Sequence, residues 1–304
     1  MIRLLSILTF FFFSTQLFGQ YATRLSPRVS PDRSSTIRVA FTDLSVFYGA
    51  PSVNARAVAG GLIPYQNVWR AGANEATRFQ ISQSVYFGKD SLAAGEYALF
   101  IIARPDSPWT VIFNRQAKQW GAFRYDESQD ALRISVLPQQ GTFQEVLSYQ
   151  LQRIDDTEAL LQMHWGNVIL PIRIGIDFLS QFKAEVERQA AERDTTTRWV
   201  VYLQGAEYLV EHQLDLAQAA TWLDLSENLS SKAIAWNSQF YPKNYIFGHL
   251  YWTRAKLLAQ QGEYSAAIRE AERMLALEGK YRFAKQEAEE EQIEARMQEW
   301  RSRQ

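Results

Sequence analysis

The chain has 304 residues, a formal net charge of -1 and no cysteine, which excludes disulfides, thiolate nucleophiles, cysteine-based zinc sites and a lipid on an N-terminal Cys. Its Lys and Arg residues are scattered, so the basic footprint of phosphate-backbone binding is missing and no nucleic-acid partner is expected. Hydrophobic residues make up 47%, enough for ordinary cores, and the length exceeds the ~250 residues at which one core stops growing, so two domains are expected.

The chain opens "MIRLLSILTFFFFSTQLFGQ". Arg3, an apolar run from Leu4 to Phe13, and polar Ser14, Thr15 and Gln16 before Gly19 have the anatomy of a secretory signal peptide, residues 1–19, followed by a linker, 20–35. A membrane anchor needs about 20 apolar residues, roughly twice this run. The expectation is an exported protein, periplasmic or secreted, with no membrane span after cleavage.

From residue 36 to 174 the dominant period is two, as in "RFQIS", "WTVIFN", "LRISVL" and "LSYQLQ", where apolar and polar residues alternate as on half-buried strands. Turn signals such as "GKDS", "AAGE", "RPDSP" and "RIDDTE" separate the runs. No helical pattern intervenes, so parallel βαβ units are disfavoured, and the pattern fits an antiparallel β-sandwich or barrel. Leu132, Ile134 and Val136, and likewise Leu147, Tyr149 and Leu151, are expected to face inward.

One stretch in this half, "VWRAGANEAT", concentrates chemistry-bearing residues between a Gly/Pro-rich segment and a strand. As a corner it needs no function. Gly72 can take positive φ, Asn74 tolerates the left-handed region and can bond to backbone, Trp69 anchors the turn, and Arg70 is placed to pair with Glu75. A second reading makes it a binding edge, with Trp69, Arg70, Asn74 and Glu75 joined by Asn114, Trp120, Tyr125 and Asp126. Aromatic faces beside amides and carboxylates suit a glycan or a peptide.

Catalysis has less support. There is no P-loop, G-x-S-x-G, H-E-x-x-H or G-x-G-x-x-G pattern, and no cofactor is expected. The three histidines, His164, His212 and His249, have no ligand partner at i+2 or i+4, so no metal is expected. Acid/base hydrolysis would require Glu75 and Asp126 to meet as a pair.

From residue 175 to 304 the period becomes about 3.6, giving an α+β chain in two segregated domains. Ala255, Leu258, Gly262, Tyr264, Ala267, Ala271 and Met274 fall at the spacing of a tetratricopeptide helix pair. Ala206, Leu209, Leu216, Ala219 and Leu223 repeat the idea without the glycine. A last helix from Lys280 to Arg303 has few apolar positions and reads as a solvated cap. The array is a candidate surface for a protein partner.

The series "GGLIPYQNVWRAGANEAT", "LAAGEYALF", "WTVIFN" and "QWGAFRYDE" closely resembles the exported bacterial family called domain of unknown function 2911, collinearly from about Ser26 to Ile174. The resemblance implies export and an N-terminal domain that precedes tetratricopeptide-like helices, and it carries over no catalytic residue. Three functions are open: a non-enzymatic ligand-binding and interaction module of the envelope, a glycan or peptide hydrolase, and a structural component of an envelope complex.

Overall fold

A computed structural model describes residues 27–236, 243–277 and 286–304. The expected signal peptide and the start of the last helix at Lys280 lie outside them. The chain divides after Asp177 into two compact units.

Among the described residues the first unit holds ten strands: β1 (Asp32–Val39), β2 (Thr42–Gly49), β3 (Ala73–Ile81), β4 (Val85–Phe87), β5 (Asp90–Leu92), β6 (Gly95–Ile102), β7 (Trp109–Asn114), β8 (Asp130–Val136), β9 (Gln139–Arg153) and β10 (Glu158–Ile176). A six-stranded sheet, β1-β2-β3-β6-β7-β8, and a four-stranded sheet, β5-β4-β10-β9, remain separate, so the arrangement is sandwich-like and not a closed barrel. Neighbouring strands pair antiparallel throughout.

Inward side chains of both sheets form one core, as alternation requires. Leu147, Tyr149 and Leu151 are buried. Leu132, Ile134 and Val136 pack on the core but stay partly open, because β8 is an edge strand covered on one side only. Trp69 and Trp165 stack at the centre, ring centroids 5.8 Å apart. The sheets reach beyond the expected limits at both ends. Asp32, read as linker, pairs with Gly49, and Ile176, past 174, pairs with Val85.

In the second unit, described by itself, the helices are α1 (Phe178–Glu192), α2 (Arg198–Glu211), α3 (Leu216–Trp236), α4 (Lys243–Gln260), α5 (Tyr264–Leu275) and α6 (Gln286–Arg301). Short turns fold α2 on α3 and α4 on α5. Ala206 and Ala219, then Ala255, Ala267 and Ala271, are fully buried, small enough for close helix approach. Gly262 ends the α4 turn at φ +82°, and where the earlier pair lacks the glycine Gln213 takes the same region at φ +52°. The charged α6 still buries Ile293, Met297 and Trp300 along one stripe. Among the described residues no helix is long and apolar enough to cross a membrane.

Candidate functional site

The Trp69–Thr77 stretch is a corner built by backbone bonds. Trp69 exchanges both of its backbone hydrogen bonds with Ile101 of β6, at 2.8 and 2.9 Å. The chain then turns through Ala71, at φ +55°. Thr77 closes the turn, its N–H donating to the Arg70 carbonyl at 3.1 Å and its Oγ1 to the Ala71 carbonyl at 2.9 Å. Tyr149, from the other sheet, donates its hydroxyl to the same Ala71 carbonyl at 2.8 Å. Two donors on one acceptor hold a conformation that an alanine would otherwise avoid.

Gly72 does not take positive φ as expected; Ala71 and Asn74 do, Asn74 at +64°. Gly72 is needed for space, since a Cβ there would lie 2.7 Å from Thr77 Oγ1 and 3.2 Å from the Gly49 carbonyl oxygen. Asn74 does reach backbone, its Nδ2 donating to the Ser30 carbonyl at 3.1 Å.

The segment after β7 lies along this corner. Ala76 N–H donates to the Gln119 carbonyl at 3.0 Å, and Gly121 N–H to the Asn74 carbonyl at 3.1 Å. Below it, on the outer face of the large sheet, Ala76, Ala98, Phe100 and Ile112 form a small apolar cluster that Val68, Ala122 and Tyr125 cover. The loop holds its other aromatics out: Trp120 is 48% exposed and Phe123 85%.

Arg70 and Glu75 do not pair. Glu75 accepts from both terminal nitrogens of Arg28, at 2.6 and 2.8 Å, and Arg28 also reaches Asp32 at 2.9 Å. Ala71 and Asn74, between the two residues, both stand at positive φ. Glu75 lines a groove of about 520 Å³ with Arg28, Asp32, Arg33, Phe47 and Arg78. Arg70 runs to the 119–123 loop, where its Nη1 would lie 3.7 Å from a Cβ on Gly121. Its Nε is buried without a partner, and burial alone holds its pKa below the ordinary value.

The remaining candidates form a separate cluster. Asn114 is fully buried; its Nδ2 donates to the Asp126 carbonyl at 2.9 Å and to Asp130 Oδ1 at 2.7 Å, and its Oδ1 accepts from Gln116 N–H at 3.0 Å. Tyr125 donates to Asp130 Oδ2 at 2.7 Å, and Arg133 donates to both. Asp126 caps the 3-10 turn Glu127–Gln129 through Ser128 N–H and Oγ. Asp130, which sequence reasoning passed over, is thus the hub of the cluster. Its one sequence signal is an acid at the mouth of the alternating run "ALRISV". Among the described residues no group of three or more His, Asp or Glu side chains could hold a metal ion. His164 sits on the outer face with Nε2 bonded to the Thr142 carbonyl at 2.8 Å.

Burial first, then the bond to Asp130, pushes the Tyr125 hydroxyl up to about 12 from 10.0. Because the folded state holds this proton more tightly than the unfolded one, the stabilisation is complete below pH ~10 and disappears as pH rises through ~12. Tyr125→Phe is therefore expected to flatten the loss of urea resistance between pH 10 and 12. Tyr97 and Tyr149 are shifted in the same direction, so the measured quantity is the difference in slope between variant and wild type. Identical slopes would refute the assignment.

No curated protein and no solved structure matches the chain. The corner, the β7 strand and the loop that covers it all lie inside residues 30–174, which match the family described as "Protein of unknown function (DUF2911)". The match to that family is confined to the β domain, a little under half of the chain.

Proposed function

We propose that this is an exported, non-enzymatic binding protein of the bacterial envelope, in which the corner Trp69–Thr77 and the loop Gln119–Tyr125 form a binding edge for a glycan or a peptide. The observation that carries the reading is the exposure of Trp120 and Phe123 on a loop bonded to β3 at two points. Exposed aromatics on a rigid frame lose little entropy when a ligand stacks on them. The groove beside Glu75 extends the same edge with alternating charges. A hydrolase would need Glu75 and Asp126 together, whereas Glu75 is clamped by Arg28 and Asp126 caps a turn. The helical unit is the protein-interaction part. Its groove of about 560 Å³, lined by Trp252, Lys256, Tyr264, Arg296 and Trp300, offers aromatic and basic groups to a partner.

An array of bacterial-type glycans and short peptides tests the binding edge. Wild type is expected to retain members of the array, and Trp120→Ala with Phe123→Ala to retain none at an unchanged melting temperature. A wild type that retains nothing, or a double variant that binds equally well, removes the reading. N-terminal sequencing of the native protein tests export, with a start close to Gln20 expected. Intact Met1–Phe13 in a membrane fraction would defeat it.

A further inference from the structure

We infer that Arg70 is an anion site within this edge, built for the carboxylate of a small ligand whose ring packs on Phe123. The inference rests on the binding-edge reading and names its chemistry. Arg70 carries a guanidinium that no described residue meets with a hydrogen bond or a carboxylate. The nearest motif acid, Glu75, is turned away to Arg28. Nε is buried and unpartnered, and neither terminal nitrogen is among the buried atoms that lack a partner. A half-buried, unpaired cation is costly to keep, and an arriving anion repays that cost where a protein carboxylate does not.

The surroundings fit a ring attached to that anion. Gly121 stands at φ +65°, and the point where its Cβ would sit is 3.7 Å from Arg70 Nη1 and 3.0 Å from two ring carbons of Phe123. Cation and aromatic ring therefore both lie beside Gly121, with the Phe123 ring taking up the space that a side chain there would fill. Phe123 is 85% exposed, so its ring is free to take a partner. A planar carboxylate matches the guanidinium fork, and the ring that bears it reaches the aromatic face.

Three probes separate the parts: benzoate, its neutral counterpart benzamide, and acetate, each titrated into the ¹⁵N-labelled full chain while the Arg70 Nε–H and the 119–123 amides are followed. Benzoate is expected to bind about tenfold more tightly than benzamide, as a charge-assisted bond implies. Arg70→Met should bring benzoate down to the level of benzamide. Phe123→Ala, at a side chain too exposed to matter for folding, should weaken benzoate several-fold and leave acetate unchanged. Equal binding of benzoate and benzamide to wild type, or a preference that survives Arg70→Met, overturns the anion site and leaves the binding edge standing. No shift at the corner with any probe overturns the anion site, and the glycan and peptide array then decides the binding edge separately. Should Arg70→Met fail to fold, the wild-type comparison and Phe123→Ala still decide.

Discussion

Gly49→Ala is expected to destabilise the β domain by on the order of 3 kcal/mol, the upper part of the range for overpacking a close contact. The added Cβ would lie 2.3 Å from the Ala73 carbonyl oxygen and 3.0 Å from its carbon. Both are backbone atoms, and the strands cannot separate easily because Gly49 pairs with Ala73 across a register shift that lets the corner leave the sheet. Gly88→Ala is the control. Gly88 takes φ +64° but a Cβ there meets nothing within 4 Å, so only the backbone preference is lost, roughly 1 kcal/mol. Urea titration of both variants at constant m-value measures the difference. Equal costs would mean that β2 and the corner do not approach so closely.

Asn114→Leu should cost about 3 kcal/mol, through polar groups left unmatched in a buried place. The substitution keeps the volume but strips the Asp126 carbonyl and Asp130 Oδ1 of a donor and Gln116 N–H of its acceptor. Asp130 keeps Tyr125 and Arg133, which limits the damage to one side of the carboxylate. Asn114→Asp distinguishes hydrogen bonding from volume. It places a second carboxylate where 2.7 Å now separates Nδ2 from Asp130 Oδ1, so its loss of stability should shrink on acidification as one of the two acids takes a proton. A pH-independent loss for Asn114→Asp, or a tolerated Asn114→Leu, would show that the Asp130 cluster contributes little. The same titration reports whether Trp120 and Phe123, on the loop between Asn114 and Asp126, depend on this anchor for their position.

The fold class was legible in the sequence because it depends on short-range periodicity. A period of two in "LSYQLQ" leaves Leu147, Tyr149 and Leu151 on one face whatever their neighbours, and the buried alanines of α4 and α5 follow from a period of 3.6 in the same way. The corner was legible as a corner from the small and turn-forming residues of "GANEAT", although β3 already begins within it at Ala73. The family-specific series around it marked the same residues.

Pairing was not legible, because charge partners are chosen by side-chain direction in three dimensions. Arg70 and Glu75 are close in the chain, with two left-handed residues between them, Ala71 and Asn74, yet Arg70 lies beside Gly121 and Glu75 is held by Arg28. An alanine at positive φ announces itself in no sequence pattern. It is held there by Thr77 and by Tyr149 from the opposite sheet. Asp130 escaped notice for the same reason. Its three partners, Asn114, Tyr125 and Arg133, come from two strands and a loop that only the packed sheet brings together. Sequence by itself determined where this chain forms strands and helices and where it turns, since each residue's period and backbone preference are local. Tertiary structure alone decided that Glu75 is clamped and Arg70 left unpaired, since a charge is satisfied only by what the fold carries within reach of it.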